Sequence, residues 1–170
     1  APLHAVERAK AHGVVVSYDP NYRAALWNSQ EEAVEWMRRP LTSADILKIS
    51  DEEMELLSGS SDPQTCSQVL AEKGISLVLI TLGSQGVFYR MGDRTGIVPG
   101  VPTQVADTNG AGDTFFGAVL SQLSRRPQGV LEGLEVVELE AILALANRAA
   151  SVTCSRSGAI PAMPTLEELS

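Results

Sequence analysis

The sequence predicts an α/β fold, a mainly parallel sheet flanked by helices on both faces, and three observations carry that prediction. Aliphatic and β-branched runs of strand length recur at 14–18, 44–49 and 76–82. Stretches with helical spacing and helix-stop residues lie between them, such as 51–57 and 62–73, the latter closed by Gly74. Each connection is long enough for a right-handed crossover, which parallel pairing requires.

In chain order, Leu3–Gly13 reads as a helix already under way, with Leu3, Val6 and Ala9 apolar and Gly13 as terminator. Residues 14–18, Val-Val-Val-Ser-Tyr, follow as a buried strand, and Asp19-Pro20-Asn21 ends it as a turn. Ser29 caps a helix with Glu31 and Glu32 in its first turn and Arg38 and Arg39 in its last, the charge order that the helix dipole favours; Pro40 stops it. Strands at 44–49 and 76–82 bracket two helices, at 51–57 and 62–73. A hairpin, 87–90 with 95–98, then turns at Gly92-Asp93. Thr103–Val105 reads as a short strand, 110–125 and 135–154 as long helices with a loop at 129–133 between them, and Thr165 as the cap of a last turn.

The chain has 170 residues, 44% of them hydrophobic and 20% charged, enough to bury one core and fill one domain. Its net charge of −8 disfavours a nucleic-acid or anionic-membrane partner. No apolar run has transmembrane length, and no signal-peptide pattern opens the chain, so a cytoplasmic location is expected. An acidic balance does not exclude a nucleotide, which needs only a local nest of N–H groups and a metal ion. Cys66 and Cys154 lack metal-ligand spacing and read as reduced thiols; His4 and His12 read as helix residues without a chemical role. The missing initiator methionine and the helix already under way suggest a piece of a longer protein.

The segment Asp107-Thr108-Asn109-Gly110-Ala111-Gly112-Asp113 carries the chemistry. Gly110, Ala111 and Gly112 have almost no side chain, so an anion can approach their backbone N–H groups, and they open a helix whose first donors lack partners. Asp113 in that first turn supplies a carboxylate able to accept a hydroxyl proton. A phosphoryl donor plus such a base is the minimum equipment for phosphoryl transfer to an alcohol. Spacing alone leaves a second reading open: a glycine-rich loop end followed by an acid that complements the dipole. The segment is not a Walker A loop, since no Gly-Lys-Ser/Thr follows. The dinucleotide fingerprint is also missing, which excludes a dinucleotide-dependent oxidoreductase.

Asp107–Asp113, with Thr114-Phe115-Phe116-Gly117-Ala118, resembles the second signature of the ribokinase-like (PfkB) carbohydrate kinases. Four further segments fit that family in order: Asp19-Pro20-Asn21-Tyr22-Arg23 with Leu26-Trp27, Lys48-Ile49-Ser50-Asp51-Glu52-Glu53, Thr81-Leu82-Gly83-Ser84-Gln85-Gly86, and Ala146-Asn147 through Gly158-Ala159-Ile160 and Pro164. The resemblance implies a ribokinase-like fold. It makes residues 1–170 the C-terminal, nucleotide-binding and catalytic part of the kinase domain, with the N-terminal sugar-binding half and its lid outside the sequence. By itself this part is expected to be inactive, and its uncovered core and sheet edge suggest a homodimer.

The resemblance also implies roles. Asp113 is the catalytic base, and Gly110, Ala111 and Gly112 form an anion hole. Thr81, Gly83 and Gly86 meet the phosphates of ATP, Asn147 stands beside the adenine, and Arg23 reaches phosphate or substrate. Glu53 organises Mg2+ through bound water, with Ser50 where the family has asparagine. Asp107 and Asn109, with Thr153, Arg156, Gly158 and Ala162, match a monovalent-cation site, which implies K+. Plainer readings stand beside these: a solvated helix face for Glu53, a satisfied helix amide for Asn147, a surface ion pair for Arg23, a hairpin turn for Gly83 and Gly86. The Asp-x-Asn-x-Arg…Leu-Trp pattern is shared by fructokinases and 2-keto-3-deoxygluconate kinases. The run 44–53 followed by Leu56-Leu57 resembles the former, implying phosphorylation of D-fructose at its 6-hydroxyl. A non-catalytic nucleotide-binding relative is the other class, and it would have no use for Asp113.

Overall fold

A computed structural model describes residues 2–169. The elements, in order, are α1 (Pro2–Ala11), β1 (Ser17–Tyr18), α2 (Gln30–Arg38), β2 (Ile46–Ser50), α3 (Asp51–Ser58), α4 (Pro63–Ala71), β3 (Leu77–Thr81), β4 (Gly86–Met91), β5 (Arg94–Pro99), α5 (Ala111–Ser124) and α6 (Val136–Cys154). One five-stranded sheet runs in the order β1-β2-β3-β4-β5. β1 pairs parallel with β2, and β2 parallel with β3, placing Ile46 opposite Leu77 and Ser50 opposite Thr81. The short connections β3–β4 and β4–β5 cannot carry a parallel crossover, so the sheet ends in antiparallel strands. The expected α/β architecture is present.

By tertiary contacts the chain divides into two compact units. One comprises the chain up to Leu82 together with Phe88–Gly96; the other comprises Gly83–Val87 and the chain from Ile97 onward. In the first unit, alternation along the central strands builds the core. Leu47 and Ile49 of β2 share one buried cluster with Val78 and Ile80 of β3, and with Met37, Leu57 and Leu70 from the helices. Caps fix where those helices start. Ser29 Oγ accepts from the Glu32 N–H at 3.1 Å ahead of α2, and Asp62 Oδ2 accepts from the Thr65 N–H at 2.8 Å ahead of α4.

Two strand expectations fail, each for a local reason. Residues 14–18 are not a buried strand: only Ser17–Tyr18 joins the sheet, and Val14 is 54% exposed. The Val14 N–H closes the end of α1 on the Ala9 carbonyl. The Val16 N–H donates to Asp45 Oδ2 at 2.8 Å, and the Val16 carbonyl takes the N–H groups of Asp45 and Ile46. Ladder pairing therefore begins only at Ser17. Thr103–Val105 is irregular, because its neighbours bond to a helix end instead of a strand. Thr103 Oγ1 lies 2.8 Å from Ser151 Oγ, and the N–H groups of Ala106 and Asp107 both donate to the Cys154 carbonyl.

In the second unit α5 and α6 pack along each other. Phe115, Val119 and Leu123 recur every four residues on α5, and Leu139, Leu143 and Ala146 follow a three-to-four spacing on α6, so each helix buries one stripe. Arg126 ties down the loop that joins them. Its Nε and Nη2 donate to the two carboxylate oxygens of Glu138 at 2.8 and 3.1 Å, while Nη1 donates to the Gly129 carbonyl at 2.6 Å and Nη2 to the Glu132 carbonyl at 3.0 Å. The Arg126 side chain is only 5% exposed, so its removal takes the donor from the part-buried Gly129 and Val130 carbonyls and opens the space it fills. Arg126→Met is expected to lower stability by about 1–3 kcal/mol. Urea unfolding would show this as a lower midpoint with an unchanged slope.

Candidate active site

Chemistry-bearing residues gather in both units. In the second unit the start of α5 is set by Gly110, the helix cap, whose φ of 77° is left-handed and favours glycine. A Cβ there would also meet the Ala159 side chain at 3.1 Å, so bulk is excluded as well as strained. The loop thus turns into the helix within one residue. The Ala111 N–H donates to the Thr108 carbonyl at 3.3 Å and the Thr114 N–H to the Gly110 carbonyl at 2.8 Å. Among the described residues, the N–H groups of Gly112 and Asp113 have no acceptor, and they sit at the positive end of a 14-residue helix. Asp113 is exposed, and its carboxylate has no partner among the described residues. Thr114, one step on, is buried and accepts from Thr153 Oγ1 at 3.0 Å, which locks the tip against α6.

The loop ahead of this tip is organised by Asp107. Its Oδ1 accepts from the Asn109 N–H at 3.0 Å and its Oδ2 from the Gly158 N–H at 3.1 Å. Those two donors, Asn109 first, hold the Asp107 carboxyl below the usual carboxylate range, so it is ionised at neutral pH. Asp107, Asn109 and Gly158 are therefore brought together. Gly158 itself has φ of 95°, another left-handed turn.

Gly83 and Gly86, φ 56° and 102°, shape the turn before β4. A Cβ on Gly86 would fall on the Val98 carbonyl oxygen, so the chain from Val98 to Gly100 can lie against the turn only because residue 86 is glycine. Asn147 belongs to the same construction. It is 7% exposed, and its Nδ2 donates to the carbonyls of Val98 and Pro99 at 3.1 and 3.0 Å. Its amide braces this segment from α6.

The first unit holds the other cluster. Asp19 follows β1, and continuing the β1–β2 register by one residue puts it beside Lys48. Asp19 Oδ2 and Lys48 Nζ lie 3.0 Å apart as a nearly buried ion pair. Asp19 Oδ1 takes the Asn21 N–H at 3.1 Å, and Asn21 is left-handed at φ 49°. Burial pushes the Asp19 carboxyl up and outweighs the lowering by the Lys48 ammonium.

Glu53 is 4% exposed, so it is not on a solvated helix face. Its Oε1 accepts from the Tyr22 N–H at 2.6 Å, and its Oε2 from Ser50 N and Oγ at 2.8 and 3.2 Å. Three of a carboxylate's roughly four acceptor positions are thereby filled. Ser50 opens α3 in a capping box with Glu53, which explains why serine serves at this position. Thr81 Oγ1 donates to the Ile49 carbonyl at 3.3 Å, and Arg23 is exposed with one local bond, from Nη1 to the Tyr22 carbonyl at 3.0 Å.

Sequence reading gave roles to neither Asp19 nor Lys48. The signal was present: a lysine inside the apolar run Ile46-Leu47-Lys48-Ile49 must find a partner if the strand is buried. Among the described residues no group of three or more His, Cys, Asp or Glu is placed to hold a metal ion, and no helix is long and apolar enough to cross a membrane.

A mainly parallel sheet in a chain of alternating strands and helices, with a glycine-capped helix opening its last third, defines an α/β class of protein. The chain belongs to the pfkB family of carbohydrate kinases, whose family model matches residues 3–166. It is 39% identical to fructokinase-1 of Zea mays over 170 residues, covering 99% of this chain and 52% of the maize protein. Among solved structures it is similar to a double mutant of the fructokinase of Vibrio cholerae O395, bound to fructose, ADP and potassium ion. The TM-score is 0.90 at 30% identity, covering 99% of this chain and 53% of that one. The aminoimidazole riboside kinase of Salmonella enterica, complexed with aminoimidazole riboside and an ATP analog, matches at TM-score 0.86 and 30% identity, covering 99% and 55%. The chain spans about half the length of the curated relatives it matches, 52% in the maize case.

Tyr18 reports on the first cluster. Its hydroxyl donates to the Met37 carbonyl at 3.2 Å, and burial, with the charges of Glu53 and Asp19, pushes its phenol from 10.0 to about 12. The fold favours the neutral phenol, so the stabilisation is complete below pH 10.0 and is lost as pH rises towards about 12. Across that window wild-type stability should fall more steeply than that of Tyr18→Phe, measured as urea midpoints at matched pH. Parallel slopes would place the phenol in an ordinary environment.

Proposed function

We propose that the protein carrying this chain transfers the γ-phosphoryl group of ATP to the 6-hydroxyl of D-fructose. The observation that carries the reading is the tip of α5: two donor N–H groups without acceptors beside an exposed, unpartnered carboxylate. Asp113 would take the proton as the hydroxyl oxygen bonds to the γ-phosphorus and the bond from that phosphorus to the bridging oxygen of ADP breaks. A carboxylate base suits a loose transition state in which the proton leaves late. The open N–H groups of Gly112 and Asp113 would take up charge on the phosphoryl oxygens without reorganising, since the Gly110 cap fixes them.

Supporting roles follow from the local geometry. Gly83, with open space where a Cβ would stand, would let main chain approach a phosphate closely, and Gly86 and Asn147 contribute by holding the Val98–Gly100 segment against that turn. Arg23, exposed and only locally bonded, is free to meet an anionic group. Mg2+, when bound, neutralises charge on the phosphates, and Glu53 would hold one of its waters. Asp107 gathers Asn109 and Gly158 into a loop pair that would hold K+, a reading supported by the potassium ion in the Vibrio cholerae structure. The choice of fructose rests on the plant fructokinase relatives at 38–41% identity and on the fructose-bound structure.

A coupled ADP-release assay on the full-length protein, with a panel of ketoses, aldoses and 2-keto-3-deoxygluconate, tests the reaction and the acceptor. Asp113→Asn should lower kcat by about 10²–10⁴ or more, while ATP affinity by calorimetry stays within about twofold. Near-normal turnover in that variant would remove Asp113 from the base role. A higher kcat/KM for another sugar would move the acceptor and leave the chemistry in place.

A further inference from the structure

We propose that Lys48 is a positioning residue: paired with Asp19, and together with Glu53 on the Tyr22 N–H, it fixes the turn from which Arg23 presents its guanidinium. The inference rests on the kinase reading only for its activity measurement.

Lys48 sits in the middle strand of the parallel set, 6% exposed, between the fully buried Leu47 and Ile49. An apolar residue would fill such a place at less desolvation cost, and a buried ion pair commonly adds little net stability over an apolar substitute. Its contacts point to geometry instead. Lys48 Nζ fixes Asp19 Oδ2, which leaves Asp19 Oδ1 aimed at the Asn21 N–H. That bond holds Asn21 in a left-handed conformation that most residues resist. The next N–H, on Tyr22, is taken by Glu53 Oε1. Two carboxylates from different parts of the chain thus fasten consecutive backbone donors, and the chain emerges at Arg23, whose side chain bonds, among the described residues, to the neighbouring carbonyl alone. The restraint ends where the reactive group begins. A long exposed arginine on an unfastened loop would lose backbone as well as rotamer entropy on meeting an anion.

The test uses the full-length protein with Lys48→Met, with Lys48→Met/Asp19→Asn, and with Arg23→Ala added to the wild type and to the double variant. Lys48→Met strands a buried carboxylate and should lower Tm. The double variant removes that charge, keeps an oxygen for the Asn21 N–H, and should recover most of the Tm. If the pair positions the turn, amide exchange at Asn21 and Tyr22 in the double variant stays about tenfold or more above wild type despite the recovered Tm. Arg23→Ala should cost about tenfold or more in kcat/KM in the wild type but less than about threefold in the double variant. Wild-type exchange rates in the double variant would overturn the proposal. So would an equal cost of Arg23→Ala in both backgrounds, or no cost in an active wild type. Exchange is read without substrate, so it decides the positioning even if no sugar is phosphorylated, an outcome that would sink the kinase reading alone.

Discussion

A backbone N–H at the end of a regular element needs an acceptor, and in this chain carboxylates supply it at several of the turns that carry candidate residues. Asp45 takes the Val16 N–H, Asp19 that of Asn21, Glu53 those of Tyr22 and Ser50, and Asp107 those of Asn109 and Gly158. Charged acceptors make stronger bonds than neutral ones, which favours the one conformation of each turn that keeps the bond. Part of the −8 net charge is therefore internal scaffolding.

Against that background the start of α5 stands out by what is left open. Gly112 and Asp113 keep free N–H groups at a helix end that Gly110 fixes and Thr114–Thr153 anchors. An open donor pair on a rigid tip has affinity for an anion because nothing must be broken or ordered when the anion arrives. The same pair on a loose loop would first lose the entropy of ordering. Gly86 and Asn147 show a second route to the same end: absence of a Cβ lets two strand ends touch, and an amide holds them there.

The first unit accepts an energetic cost for a similar result. Burying Lys48 and Asp19 requires stripping water from both, and their attraction only roughly offsets that loss. Burial and the two carboxylates also keep the Tyr18 phenol protonated far into the alkaline range. Replacing the charges with leucines would keep a sheet but not the left-handed Asn21 turn above it.

How much of this was legible in the sequence follows from which interactions are local. Periodicity fixed the helices and the central strands, and the Gly-x-Gly-Asp spacing fixed the helix tip, because 3.6 and 2.0 residue repeats and helix caps are properties of neighbouring residues. Residues 14–16 read as strand because they are β-branched. They are not strand, since Asp45, some 30 positions away, captures the Val16 N–H first. Glu53 read as a solvated acid or a metal organiser, and only the fold shows it holding Tyr22 from 31 residues away. Asn147 likewise required the Val98 and Pro99 carbonyls, 49 and 48 residues distant, to reveal its brace. The sequence alone thus determined which segments could fold and where an anion could be met. Tertiary structure decided which carboxylates hold the main chain and that Asp113 is left without a partner among the described residues, because that assignment depends on partners that only folding brings within hydrogen-bonding distance.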